Sequence, residues 1–235
     1  MTGATSPASG ARPTLVRAGL RTPRAAAFAG IIFSLLLTVS LLLLRLSVPA
    51  NPHEVGSWLK TSRQHVSIAL NLIPFAGVAF MWFLGVLRDR LGAKEDRFFA
   101  TVFLGSGLMF LGMLFVAAAS VGGLILAYAG APSTLLNPGT FSFGRAFAYD
   151  IMHIYAFKMA AVFMVTTSTL LLFTQAAARW IAMLGYASAL ALLIASGFFD
   201  WILFVFPAWV LLVSVYILID NARREARAKR VEERG

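Results

Sequence analysis

The sequence predicts an all-α protein, a polytopic bundle of six transmembrane helices spanning residues 25–219, with both termini in the cytoplasm. Hydrophobic residues make up 59% of the 235 residues and charged residues only 13%, a balance typical of chains that lie in a bilayer. Several apolar runs reach the ~20 residues that a membrane-spanning helix needs. The basic residues lie mainly between and beyond these runs, which indicates how the chain is oriented.

Charge and cysteine content exclude several classes of protein. The net charge of +10 resembles that of a nucleic-acid binder, but it lies in tails and loops that flank apolar runs. Basic residues there orient a membrane protein and attract anionic lipid, so no nucleic-acid partner is expected. The chain has no cysteine, which excludes disulfides, thiolate metal sites and cysteine nucleophiles.

The N-terminal part predicts a tail followed by a first helix. Residues 1–24 are rich in small and polar residues, carry four arginines and show no apolar periodicity, which is typical of a disordered basic cytoplasmic tail. Residues 25–44 carry no charge and predict the first span. A signal peptide cleaved after Ala50 is the alternative, but the apolar run is longer than the usual signal core.

The next two spans are predicted at residues 66–87 and 98–121. The second contains Pro74, which removes a backbone donor and predicts a kink. The apolar run of the third continues to Ala131, too long for an upright span. The helix therefore tilts, projects from the bilayer, or breaks at Gly122-Gly123.

The last three spans are predicted at residues 151–173, 180–197 and 201–219. Asp200 precedes the sixth and is a plausible N-terminal cap for it. Residues 220–235 alternate basic and acidic side chains and predict a basic cytoplasmic tail that binds anionic lipid surfaces.

Orientation follows from the distribution of basic residues. With both termini inside, fifteen basic residues lie in the inner segments and four in the outer ones, Arg45, Lys60, Arg63 and Arg145. This asymmetry predicts six spans with cytoplasmic termini. All three histidines, His53, His65 and His153, then lie at the outer face.

Three blocks of the sequence are distinctive: NLIPFAGVAFMWFLGVLRDRLG (71–92), EDRFFATVFLGSGLMFLGMLF (95–115) and YAFKMAAVFMVTTSTL (155–170). These blocks resemble a group of uncharacterised bacterial multi-pass integral membrane proteins. They cover about a quarter of the chain. The resemblance implies an integral protein of the bacterial inner membrane and implies no activity.

The candidate site residues form a polar cluster of Lys158, Asn71, Asp150, His153 and His65. An ammonium within a span costs roughly 2.5–3.5 kcal/mol and usually marks a pathway or a paired site. A buried Lys158 needs a partner, with Asn71 a candidate. The favoured alternative places Lys158 at the outer interface, where its side chain reaches the headgroups.

No catalytic, cofactor or metal site is predicted. None of the histidines has a second ligand at a metal-binding spacing in the sequence. The alternative is a metal site formed by His65 and His153 from two different helices. Asp150, His153 and His65 are the only candidates for an enzyme site at the outer face.

Three classes of function remain. An accessory or scaffold protein of a membrane assembly is favoured. The spans contain one basic residue, which provides few charged groups for coupled transport. A small transporter or channel with a polar path near Lys158 is the alternative, and a membrane enzyme ranks last. Expected partners are the bilayer, anionic lipids at the basic tails, and a membrane-protein partner or a second copy of the chain.

Overall fold

The computed structural model describes residues 22–48, 62–91, 97–129, 138–175 and 177–232. Within these ranges the chain forms helices and turns, and no strand. Most of the predicted N-terminal tail, the proposed cleavage site after Ala50, and His53 lie outside the described residues.

Seven α-helices are present among the described residues. They are α1 (Thr22–Ser47), α2 (Arg63–Leu91), α3 (Arg97–Ala129), α4 (Pro138–Asp150), α5 (Phe157–Phe173), α6 (Arg179–Ala195) and α7 (Val205–Glu232). A π-helical segment, Ile151–Ala156, joins α4 to α5 without interruption, and a 3₁₀ segment, Asp200–Phe204, leads into α7. Five helices are long and apolar enough to cross a membrane, with α4 and α5 counted as one, and α6 is a shorter apolar helix.

The helices form a closed ring. In order of contact the ring runs α1, α2, α3, α5, α6, α7 and back to α1. The Asp200 side chain, which follows α6, contacts both Arg45 near the end of α1 and His153 near the start of α5. Helix α5 runs from His153 toward the opposite end of the bundle. Because Asp200, which follows α6, again lies beside His153, α6 runs back across the bundle. We call the end that carries these contacts the Asp200 end, and the other the Arg179 end.

Most helices extend beyond the predicted spans, whereas α6 ends at Ala195, before the end of the span predicted at 180–197. Helix α3 runs without a break through Gly122-Gly123, so of the three alternatives for this long apolar run the break is wrong. The helix that contains the span predicted at residues 151–173 begins at Pro138, where the missing N–H of proline loses no intrahelical hydrogen bond. Helix α7 continues through most of the predicted basic tail. Hydropathy marks the apolar part of a helix, whereas backbone hydrogen bonding continues past it.

Six phenylalanine rings from five helices meet at the centre of the bundle. All six are fully buried, and neighbouring ring centroids lie 4.6 to 6.4 Å apart, mostly edge to face. We call this group, which consists of Phe33, Phe80, Phe110, Phe157, Phe163 and Phe206, the phenylalanine cluster. Such edge-to-face pairs add to the packing energy and fill the space between helices.

Two glycines allow helices to approach closely. A Cβ at Gly30 in α1 would overlap the Ser214 hydroxyl of α7. A Cβ at Gly185 in α6 would overlap the Ser168 hydroxyl of α5 and lie 2.8 Å from Trp209 Nε1 of α7. Small residues serve this purpose at helix interfaces in membranes, where packing rather than water exclusion holds helices together.

Candidate functional site

A cavity of about 530 Å³ lies inside the bundle at the Asp200 end. Most of its wall is apolar and comes from α1, α2, α3 and the 3₁₀ segment; representative side chains are Leu41, Leu70, Ile73, Leu114, Val121 and Leu203. Its size falls within the roughly 300–1,000 Å³ of small-molecule sites in proteins. The cavity is therefore large enough for a ligand.

One side of the cavity is polar. The polar residues that line it are Arg45, Arg145, Tyr149, Asp150, His153 and Asp200. Tyr149 and Asp150 are exposed, so the cavity is open to the surface of the bundle on this polar side. Four of the six, Arg45, Tyr149, His153 and Asp200, contact one another, and we call these four the Asp200 cluster.

The carboxylate of Asp200 is the centre of this cluster. Its Oδ2 lies 3.1 Å from Nη1 of Arg45. The Tyr149 hydroxyl donates to its Oδ1 over 3.0 Å. Nε2 of His153 lies 3.4 Å from the same Oδ1, without the geometry of a hydrogen bond. One carboxylate thus connects α1 and the α4–α5 helix to the start of the 3₁₀ segment.

The orientation of His153 follows from its neighbours. Its Nδ1 lies 3.1 Å from the carbonyl oxygen of Tyr149, which can only accept, so Nδ1 carries a proton. The imidazole stacks on the Tyr149 ring at 3.8 Å and 15°. Nε2 is thereby aimed at Asp200 and can bond to it only when Nε2 also carries a proton. His153 lies in the π-helical segment, a backbone feature frequent at functional sites.

The phenylalanine cluster lies below the cavity, on the side of the Arg179 end. Leu114 lines the cavity, and Phe110 lies one helical turn further along α3 toward the Arg179 end. In the α4–α5 helix, His153 lines the cavity and Phe157 lies one helical turn further toward the Arg179 end. The rings fill the bundle below the cavity, so among the described residues the cavity does not continue to the other end.

Comparisons with protein-family models, with curated proteins and with solved structures found no match to this chain. The function is therefore inferred from the cavity and its charges.

The five sequence candidates are separated in the structure. Asp150 and His153 line the cavity, whereas His65 is exposed on α2 and does not. Asn71 is exposed and its amide donates to the Ser67 carbonyl of its own helix over 2.8 Å. Lys158 is half-buried, does not line the cavity, and has no polar partner among the described residues.

Two threonines that follow Lys158, Thr166 and Thr169, also make local bonds. Thr166 donates to the Val162 carbonyl, and Thr169 donates to the Val165 carbonyl and contacts the Tyr186 hydroxyl at 2.7 Å. Hydroxyls in apolar helices commonly bond to a carbonyl one turn earlier in this way. None of these threonines lines the cavity.

Sequence reasoning missed the centre of the cluster. Asp200 was expected to cap the sixth span, but its side chain pairs with Arg45, and Phe199 is the residue at the cap position. One signal was available, because Arg45, His153 and Asp200 are polar residues next to span ends that the charge distribution places on one side.

The chemistry of the cluster is limited by its composition. Among the described residues no group of three histidine, aspartate or glutamate side chains is placed to hold a metal ion. The recorded contacts of His153 are to Tyr149 and Asp200, and no serine or threonine hydroxyl of the described chain is bonded to it. The arrangement is suited to binding a polar group beside an apolar one.

Proposed function

We propose that the protein is a membrane protein that binds an amphiphilic, lipid-like molecule in the cavity at the Asp200 end. One observation carries this proposal: the cavity wall is mostly apolar, and its charged and polar side chains include the exposed Tyr149 and Asp150 at the open side. Apolar side chains accommodate a hydrocarbon chain, and a few placed polar groups fix the head.

The size of the cavity supports a chain of ordinary length. An engineered cavity of about 150 Å³ holds one benzene, so 530 Å³ has room for roughly twenty carbon atoms. A single acyl chain of a membrane lipid fits within that limit. A second chain would remain outside, against the exposed apolar surface of the bundle.

The proposed topology places the cavity at the outer face of a bacterial inner membrane. Six spans with both termini in the cytoplasm are supported by the positive-inside asymmetry and by the return of α6 across the bundle. At 17 residues α6 is about 25 Å long, somewhat less than the ~30 Å hydrocarbon core. The bilayer can thin locally at a short helix for a modest cost.

A ligand-binding role is compatible with the accessory or scaffold function that the sequence favours, because a bound lipid can stabilise an assembly. Transport of the same ligand through the bundle requires the fully buried rings of the phenylalanine cluster to separate. Binding without transport is therefore the simpler function for this arrangement.

The test is ligand retention by purified protein. Ala117 is buried and lines the cavity, so Ala117→Phe fills part of it; Ala119, two residues along the same helix, is exposed, so Ala119→Phe is the matched control. Native mass spectrometry of the wild type should show one co-purified amphiphile per chain, retained in Ala119→Phe and lost in Ala117→Phe. A wild type without bound amphiphile, or equal retention by both variants, would overturn the proposal.

A further inference from the structure

Arg45 has hydrogen-bonding capacity that the described residues do not use. A guanidinium carries five N–H donors, and the recorded polar contact of Arg45 is the one from Nη1 to Asp200. One face of the guanidinium lies over the Trp201 ring at 5.9 Å. The side chain is 30% exposed and lines the cavity. Its other donors remain available for an acidic group that enters there.

Asp150 is the complementary group. It lines the cavity, it is exposed, and its carboxylate has no hydrogen bond or ion pair within the described chain. Asp200, in contrast, already faces Arg45, Tyr149 and His153. An ammonium at the cavity mouth would therefore find its free acceptor at Asp150.

The described residues that line the cavity offer charged groups of both signs. The cationic side chains are Arg45 and Arg145, and the anionic ones are Asp150 and Asp200. A head with one positive and one negative group can therefore meet a side chain of opposite charge with each of its groups.

We propose that the head of the bound amphiphile is zwitterionic, with its phosphate or carboxylate on Arg45 and a primary ammonium on Asp150. This inference rests on the proposed function and names the ligand class of the same cavity. A primary ammonium suits the site because it donates hydrogen bonds to a carboxylate, and Arg45 bonds an acidic oxygen in charge-assisted fashion. Ethanolamine phospholipids and their single-chain forms carry this pair of groups.

The test compares single-chain probes that share a palmitoyl tail. Delipidated protein comprising residues 1–235 is titrated in detergent solution with three probes. They are lysophosphatidylethanolamine, lysophosphatidylglycerol, which keeps the phosphate and lacks the amine, and monopalmitoylglycerol, which has neither. We expect lysophosphatidylethanolamine to bind at least about fivefold more tightly than either of the others. The expected difference in affinity is modest because an ion pair with an exposed carboxylate contributes less binding free energy than one with a buried carboxylate.

Two substitutions assign the groups. Asp150→Asn should weaken binding of the ethanolamine probe and so remove its preference over the glycerol head, whereas the anionic glycerol probe should bind no more weakly, because the variant removes a negative charge from the cavity mouth. Arg45→Gln should weaken both phosphate probes, and Arg45→Lys, which keeps the charge, should restore most of the loss. Arg179→Gln at the opposite end is the charge control and should change none of these affinities.

The outcomes separate this inference from the proposed function. Equal or tighter binding of lysophosphatidylglycerol or monopalmitoylglycerol, with Ala117→Phe still blocking it, overturns the zwitterionic head and leaves an amphiphile site. Retention of the ethanolamine preference by Asp150→Asn also overturns it. Failure of every probe to bind overturns both proposals.

Discussion

Arg45 and Asp200 are far apart in the sequence, yet Nη1 of Arg45 lies 3.1 Å from Oδ2 of Asp200. The pair is about 30% exposed, and it joins the end of α1 to the segment that starts the last helix. At this exposure an ion pair contributes a modest stability, and its second effect is to hold the guanidinium against the cavity.

The first prediction concerns this pair. Asp200→Asn and Arg45→Gln should each lower the thermal midpoint of the purified protein, because each leaves the other side chain without its partner. The double variant should be no less stable than the worse single variant, with a coupling free energy of about 1 kcal/mol. Additive effects in the double-mutant cycle would show that the two side chains do not interact.

The second prediction concerns Gly185. Gly185→Ala should destabilise the bundle by about 1–3 kcal/mol, because the new methyl overlaps the Ser168 hydroxyl and crowds Trp209. Ser168→Ala in the same chain should recover part of the loss by removing that oxygen. Gly112→Ala is the control, since a Cβ there meets no atom within 4 Å, and should be neutral. Thermal unfolding in detergent measures all three.

The third prediction concerns Lys158. Because its half-buried ammonium has no polar partner among the described residues, Lys158→Met should raise or preserve the thermal midpoint. Since Lys158 does not line the cavity, binding of the palmitoyl probes should be unchanged. A marked loss of binding in a folded Lys158→Met protein would instead support the hypothesis of a polar path near Lys158.

The fourth prediction concerns topology. A fluorescent reporter that matures only in the cytoplasm, fused after Gly235, should be bright, and a phosphatase that works only outside should be inactive there. If α6 did not span, the chain would cross an odd number of times and the two reporters would exchange results. A cytoplasmic N-terminus is checked with the same pair of reporters placed before Met1.

Helix positions could be predicted from the sequence because apolar runs of membrane length have few other structures available to them. Helix ends could not, since residues such as Pro138 to Asp150 are polar enough to leave the apolar window yet continue the hydrogen bonding of α5 through a π-helical segment. Apolarity alone does not report where backbone bonding stops.

The candidate site could be predicted only in part. Asp150 and His153 were identified because they are polar and adjacent to a span, and both line the cavity. Arg45 and Asp200 were interpreted one at a time, as an interfacial side chain and a helix cap, because no local spacing relates them. The two side chains come into contact because the helices pack into a ring, and this packing is seen only in the tertiary structure.

The phenylalanine cluster has an electrical consequence in the proposed topology. Its packed rings exclude water and ions from the middle of the bundle, so the transmembrane voltage falls mainly across them. The charged side chains around Asp200 lie on the outer side of this layer. They therefore experience nearly the electrical potential of the outside solution and almost none of the voltage drop. Occupancy of the cavity should therefore be insensitive to whether the cell membrane is energised.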